Sequence, residues 1–308
     1  MHGRYAPGMA AFRSVRIPEL RTDPGIEAPE GRVEDLVEFL ERHERIVVLT
    51  GAGCSTASGI PAYRDPAGRW QRRQPILFQD FVRDPVIQRR YWARSYFGWA
   101  VMRDARPGRT HRALASLDAS GRLAGLVTQN VDGLHQRAGH ADVIELHGGL
   151  ERVLCMACGA SCDRSSLQRR LESLNPDWSP DVLGIAPDGD AELDERAYPG
   201  FRVADCSDCG GALKPDVVFF GESVPRERLQ AAEARVRRAQ ALLVVGTSLV
   251  VWSGYRLART ASELGLPIAA INDGRTRADA LFTFKLGGEC GDALDRAVRI
   301  LAAQASSE

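Results

Sequence analysis

The chain has 308 residues, 44% hydrophobic and 26% charged, with 40 basic side chains balanced by 40 acidic ones. That length supports one large domain with a smaller appendage, and zero net charge leaves no global field to draw nucleic acid or an anionic membrane, so neither is expected as a partner. No apolar run reaches the roughly twenty residues that a membrane-crossing helix needs.

Residues 1–31 read as an N-terminal tail. They carry Arg4, Arg13 and Arg16 with no acid before Glu19, as organellar transit peptides do, but Pro7, Gly8, Pro18, Pro24 and Pro29 break any amphipathic repeat. The expectation is a draped tail on a cytoplasmic protein, with the mitochondrial matrix as the alternative if the tail is a transit peptide. Leu36, Val37 and Leu40 share one face of a helix predicted over Val33–Arg42, which leads into the apolar strand Ile46–Thr50. The segment Gly51-Ala-Gly-Cys-Ser-Thr-Ala-Ser-Gly-Ile-Pro-Ala-Tyr-Arg-Asp65 then reads as a ligand loop. Its glycines permit close backbone approach to a phosphate, Ser55, Thr56 and Ser58 supply donors at a helix start, and Pro61 ends that helix. A dinucleotide fingerprint would place a third glycine where Thr56 stands, and glycine-rich turns also arise for steric reasons alone.

Further along, Pro85 to Arg103 carries Tyr91, Trp92, Tyr96, Phe97 and Trp99 at mixed helical spacing, as in a helix packed on the domain body. Apolar runs at Leu123–Val127, Val143–Leu146, Ala241–Val245 and Ile268–Ile271 read as buried strands, with helices over Arg226–Gln240 and Asp292–Leu301. Alternating strands and helices specify an α/β fold with a doubly wound, parallel, Rossmann-like sheet. Residues 151–213 interrupt the alternation and read as a smaller zinc-binding module, leaving 32–150 and 214–308 for the main domain. Within it, Cys155-x-x-Cys158 and Cys206-x-x-Cys209 each precede a turn glycine, and four such thiolates favour one tetrahedral, structural Zn2+ ion with no open position. A redox pair is the alternative, which the second pair disfavours. Cys162 is less aptly spaced, and Cys54 and Cys290 read as packing or ligand-adjacent residues.

Polar residues gather where the strands end: Thr128-Gln-Asn-Val-Asp-Gly-Leu-His135, Glu145-Leu-His-Gly148, Gly246-Thr-Ser-Leu249 and Asn272-Asp-Gly274. Open α/β sheets bind ligands at those ends. Taken in order, these motifs and the two cysteine pairs resemble the sirtuins, NAD-dependent protein-lysine deacylases, over roughly residues 35–300. The resemblance implies NAD held by Gly51, Ala52, Gly53, Ser55, Ile60, Arg64 and Asp65, by Gln129, Asn130 and Asp132, and by Gly246, Thr247, Ser248, Asn272, Asp273, Gly274 and Cys290. It also implies His147 as general base, Asn130 supporting the reacting ribose and Asp132 shaping the nicotinamide pocket, with the acyl group passing to ADP-ribose as nicotinamide leaves. An imidazole suits that task because its ordinary pKa lies near neutrality.

The resemblance further implies an acylated-lysine protein substrate bound as an extended peptide along Val217, Val218, Phe219 and Phe220, with Trp252–Tyr255 on its other side. Those four residues equally suit an internal core strand, and both readings hold if alternate faces divide the work. The region around Leu174–Trp178, with Tyr91-Trp-Ala-Arg94, looks most like the class II branch. Tyr91 and Arg94 share a helix face and suit an acyl carboxylate, as a Tyr-x-x-Arg pair does in the desuccinylating branch; a surface Arg beside a core Tyr is the simpler alternative. Two rival functions remain open: a protein mono-ADP-ribosyltransferase, and a non-catalytic NAD or ADP-ribose sensor.

Overall fold

The structure is a computed structural model that describes residues 17, 19–20, 27–63, 65, 69, 75–185 and 190–306. In chain order its strands are β1 (Ile46–Thr50), β2 (Leu123–Thr128), β3 (Val143–Glu145), β4 (Gly148–Cys155), β5 (Ser161–Asp163), β6 (Val182–Ile185), β7 (Ala191–Leu193), β8 (Leu213–Val217), β9 (Ala241–Val245), β10 (Ile268–Ile271) and β11 (Phe284–Leu286). The helices are α1 (Val33–Arg42), α2 (Phe78–Arg83), α3 (Pro85–Asp104), α4 (Arg109–Ala119), α5 (Leu134–Arg137), α6 (Arg164–Leu174), α7 (Arg226–Arg238), α8 (Trp252–Glu263) and α9 (Cys290–Ala305).

Six strands form one parallel sheet in the order β11-β10-β9-β1-β2-β3. Its central strands are apolar up to the threonines that end β1 and β2, because helices cover both faces. Ile46 and Val48 of β1 pack with Leu36 and Leu40 of α1, Leu114 of α4 and Leu294 of α9. Val47 and Leu49 turn the other way, onto Ala232 and Val236 of α7 and Leu257 and Ala261 of α8. Each such side chain contributes about 1.5–3 kcal/mol by leaving water, so the doubly wound arrangement follows from the strand pattern. The chain reverses its direction of winding at β1, with β2 on one side and β9 on the other, which opens a crevice beyond their carboxyl ends.

A second, smaller lobe is built on the antiparallel sheet β5-β4-β8, with the β6-β7 hairpin and α6. Its core also takes Phe81 of α2 and Tyr91 and Trp92 of α3, which pack with Val153, Leu167, Leu171 and Leu213. The Trp92 indole donates to the Leu213 carbonyl at 3.1 Å, tying α3 to β8. Among the described residues no helix is long and apolar enough to cross a membrane.

Three local expectations need correction. The donors after β1 do not open an α-helix: Ala52–Cys54 and Thr56–Ser58 form two short 3-10 turns, which Gly59 ends in a left-handed conformation at φ 84°. The last helix begins at Cys290, ahead of Asp292, because the Glu289 carboxylate accepts from the amides of Gly291 and Asp292 and caps it. The helix over Arg226–Gln240 ends earlier, at Arg238, where Ala239 turns extended.

Candidate active site

A cavity of about 880 Å³ lies beyond the carboxyl ends of β1, β2, β9 and β10. Two glycine loops form its floor. Gly53 donates to the Gly246 carbonyl at 2.8 Å, and a side-chain carbon at Gly53 would stand 2.9 Å from the Gly246 backbone. Gly246 itself holds φ 61°, so both loops need glycine for this approach.

The loop after β2 supplies the polar wall. Ser55 Oγ donates to Asp132 at 2.7 Å, and the Asn130 side-chain Nδ2 donates to Ser55 Oγ at 3.1 Å and to the Gly51 carbonyl at 3.0 Å. Asp132 also accepts from the Leu134 amide at 2.9 Å; burial pushes its pKa up against those hydrogen bonds. Gln129 donates to Thr247 Oγ1 at 2.9 Å, tying the ends of β2 and β9.

His147 follows β3 and faces this wall. Its Nδ1 lies 3.0 Å from the Gln129 carbonyl, which can only accept, so Nδ1 carries the proton. Nε2 is therefore the free base, and it accepts from the Ser253 hydroxyl at 2.7 Å. Burial pushes the ring's pKa down to about 4, so it is neutral and able to take a proton at pH 7. Its carbonyl accepts from Val218 at 2.8 Å, which joins the imidazole to the segment after β8.

In that segment Val217 and Phe219 are buried in the small lobe's core, while Val218 and Phe220 are more open and line the cavity. A buried ion pair braces it: Lys214 Nζ lies 3.0 Å from Glu222, whose carboxylate accepts from the Phe219 amide at 2.9 Å. A smaller cavity of about 60 Å³ adjoins, lined by Tyr91, Asp190 and Val217 and sharing Tyr63, Val131 and Phe219 with the larger one.

Of the residues that the sequence points to, Gly51, Ala52, Gly53, Ser55, Ile60 and Asp65 line the large cavity, as do Gln129, Asn130, Asp132 and His147. Gly246, Thr247, Ser248, Asn272, Asp273 and Cys290 line its far side. Gly274 does not; its carbonyl accepts from Lys285 at 3.2 Å. Arg64 lies outside the described residues. Arg94 lines neither cavity: its Nη1 lies 3.6 Å from the buried Asp190 carboxylate, and its Nε donates to the Ala191 carbonyl at 3.1 Å. Ser253 falls in Trp252–Tyr255, which the resemblance sets beside the peptide, but its contact with His147 is not legible in the sequence.

Beneath Asn130, His111, His135 and His140 form a buried ring cluster with centroids 4.8 and 5.5 Å apart. His135 Nε2 bonds Thr50 Oγ1 at 2.9 Å, which donates to Thr128 Oγ1, which in turn accepts from the backbone N–H of Asn130. His111 Nε2, His135 Nδ1 and His140 Nε2 have no hydrogen-bond partner among the described residues. Burial lowers the pKa of His111 to about 4 and that of His135 well below its ordinary value. The unfolded chain therefore binds these protons first, so the stability of the neutral rings is complete above pH 6.5 and falls as the pH drops towards 4. His111 should remove about 1.5 kcal/mol between pH 6.5 and 5, and His135 should act in the same direction. Urea melts at the two pH values test this; equal midpoints would contradict it.

Far from the crevice, the sulfurs of Cys155, Cys158, Cys206 and Cys209 all lie within 4.8 Å of one another, with Cys155 to Cys209 at 3.5 Å and Cys158 to Cys206 at 3.8 Å. A tetrahedral ion with bonds of about 2.3 Å sets its sulfurs about 3.8 Å apart, so the four thiols fit zinc and leave no position for water or substrate.

Sheet, crevice and thiol cluster place the chain among Rossmann-like α/β proteins that carry a structural metal lobe. Residues 51–253 match the model of the Sir2 family, and the chain belongs to that family. An NAD-dependent protein deacetylase of Xanthomonas campestris pv. campestris (strain 8004) is 54% identical over 259 residues, covering 84% of this chain and 88% of that protein. NAD-dependent protein deacetylase 1 of Streptomyces coelicolor is 47% identical over 279 residues, covering 90% and 93%. Among solved structures, a Sir2–p53 peptide–NAD+ complex superposes with a TM-score of 0.72 at 29% identity, covering 89% of this chain and 100% of that one.

Proposed function

We propose that this Sir2 family member is an NAD-dependent protein-lysine deacylase, which moves the acyl group of an acylated lysine to ADP-ribose and releases nicotinamide. NAD is consumed as co-substrate, and one zinc ion holds the small lobe. The observation that carries the reading is His147: a neutral imidazole on the cavity wall, with its free nitrogen turned to a hydroxyl and Asn130 and Asp132 lining the same cavity. A site that only binds a nucleotide needs no such base.

The loops at Gly51–Ser55 and Gly246–Ser248 present backbone amides and hydroxyls suited to phosphates, and Asn272, Asp273 and Cys290 suit the adenosine end. Asn130 is the group for the reacting ribose, and Asp132 shapes the nicotinamide pocket. The half-buried segment at Val218–Phe220, which lines the cavity, suits an acyl-lysine peptide added as a strand, with Trp252 to Tyr255 opposite. Backbone pairing tolerates varied sequences, which fits a protein substrate.

We place the chain nearest the class II branch on the region around Leu174–Trp178 and on Tyr91-Trp-Ala-Arg94. Within that branch we assign it to neutral acyl groups, because Arg94 already faces Asp190 and the carboxylate on the small cavity's wall is the protein's own. A second carboxylate there would have to compete with Asp190 for Arg94, at a cost of several kcal/mol. In a panel of acyl-lysine peptides, acetyl and butyryl chains should exceed succinyl and glutaryl chains at least about tenfold in kcat/KM. Equal turnover of acidic chains would overturn the acyl assignment, and turnover of none would overturn the deacylase reading.

A further inference from the structure

The sole lone pair of the His147 base is already taken. With Nδ1–H committed to the Gln129 carbonyl, Nε2 has one acceptor position, and the Ser253 hydroxyl fills it at 2.7 Å. Ser253 is buried in the first turn of α8, and both it and His147 line the large cavity. A hydroxyl that donates its proton keeps two lone pairs to accept another. A sugar hydroxyl entering the cavity must then either displace Ser253 from the imidazole or reach the imidazole through it.

We infer that Ser253 is a further catalytic residue, relaying the proton of the attacking ribose hydroxyl to His147. The inference rests on the deacylase reading above. The step starts from the imidate formed when the acyl oxygen bonds to the ribose carbon that nicotinamide leaves; a bond forms between the ribose 2′-oxygen and the acyl carbon, and the electron pair of the imidate's carbon–nitrogen double bond settles on the lysine nitrogen. The 2′-hydroxyl proton passes to Ser253 Oγ as the Ser253 proton passes to Nε2. Ser253 ends unchanged and His147 ends as imidazolium, so charge and protons balance. Packing of α8 supports this pairing of donor and acceptor: Leu257, Ala258 and Ala261 anchor the helix in the core and hold the backbone of Ser253 beside the ring.

The relay acts only after nicotinamide has left, which gives it a signature that a structural role lacks. Exchange of labelled nicotinamide into NAD reports the first step, and acyl-lysine consumption reports the whole reaction. Ser253→Ala should lower deacylation at least about tenfold while exchange persists, so that the ratio of exchange to deacylation rises, and Ser253→Thr, which keeps a hydroxyl, should restore most of the loss. Persistent exchange also shows that the variant is folded. Unchanged or faster deacylation in Ser253→Ala would overturn the relay, because the hydroxyl would then be a bystander or an obstacle. A parallel fall in both rates would also overturn it, in favour of a packing role. A wild-type protein that shows neither rate removes the deacylase reading itself, and the relay with it.

Discussion

Replacing His147 with alanine should lower NAD-dependent deacylation at least about a hundredfold, the scale of a lost general base. No neighbour can take over. Asp132 is engaged by Ser55 and by the Leu134 amide, and the Gln129 side chain, an amide, has no basic nitrogen. The variant leaves the Val218 link intact, because that bond uses the backbone carbonyl of residue 147. Substrate binding should therefore survive, and the loss should fall on kcat more than on KM for peptide. Initial rates of peptide deacylation with NAD in excess provide the check. A loss under tenfold would mean that the base is another group.

Removing the metal should be equally damaging although it stands far from the chemistry. β4 and β8 connect the two places: Cys155 at one end of β4 pairs with Leu213, and Gly148 at the other end pairs with Val217. On β8 four residue steps separate those ends, about 13 Å, and β4 covers the same interval with an irregular stretch between Gly148 and Val153. Gly148 follows His147 directly, and Val217 opens the Val218–Phe220 segment. Cys155 and Cys206 are buried in the lobe's core, so a lost ion would leave their thiolates facing apolar neighbours and release both strands. Cys206→Ser, or prolonged chelation, should lower the melting temperature by about 10 °C or more and abolish activity, since structural zinc is coupled to folding. One zinc per chain by elemental analysis should accompany the active protein. Full activity in a metal-free preparation would contradict the account.

Strand ends and thiol pairs are the part that the sequence makes legible, because both are written in short, local spacings. An apolar run followed by polar residues is a strand emptying into a crevice whatever its partners are, and the loops after β1, β2, β9 and β10 do converge on one cavity. Contacts between distant segments are not written that way. His147 and Ser253 lie 106 positions apart, and only the docking of α8 on the sheet brings them together. The Arg94–Asp190 pair depends likewise on α3 meeting the hairpin that carries β7, which sequence spacing does not encode. The early start of α9 was hidden for a different reason: Glu289 reads as an ordinary charged residue until its carboxylate is seen to accept from Gly291 and Asp292. β11 is three residues long with a lysine in its middle, too short for a period-two pattern, and its place at the sheet edge comes from pairing with β10.

The central claim, transfer of an acyl group from lysine to ADP-ribose, is tested most directly by mass spectrometry of the products formed from NAD and an acetyl-lysine peptide. The account predicts free lysine peptide, nicotinamide and O-acetyl-ADP-ribose in equal amounts. ADP-ribose attached to protein with the acetyl group still on the peptide would identify a mono-ADP-ribosyltransferase, and NAD bound without any product would identify a sensor; either result would contradict it.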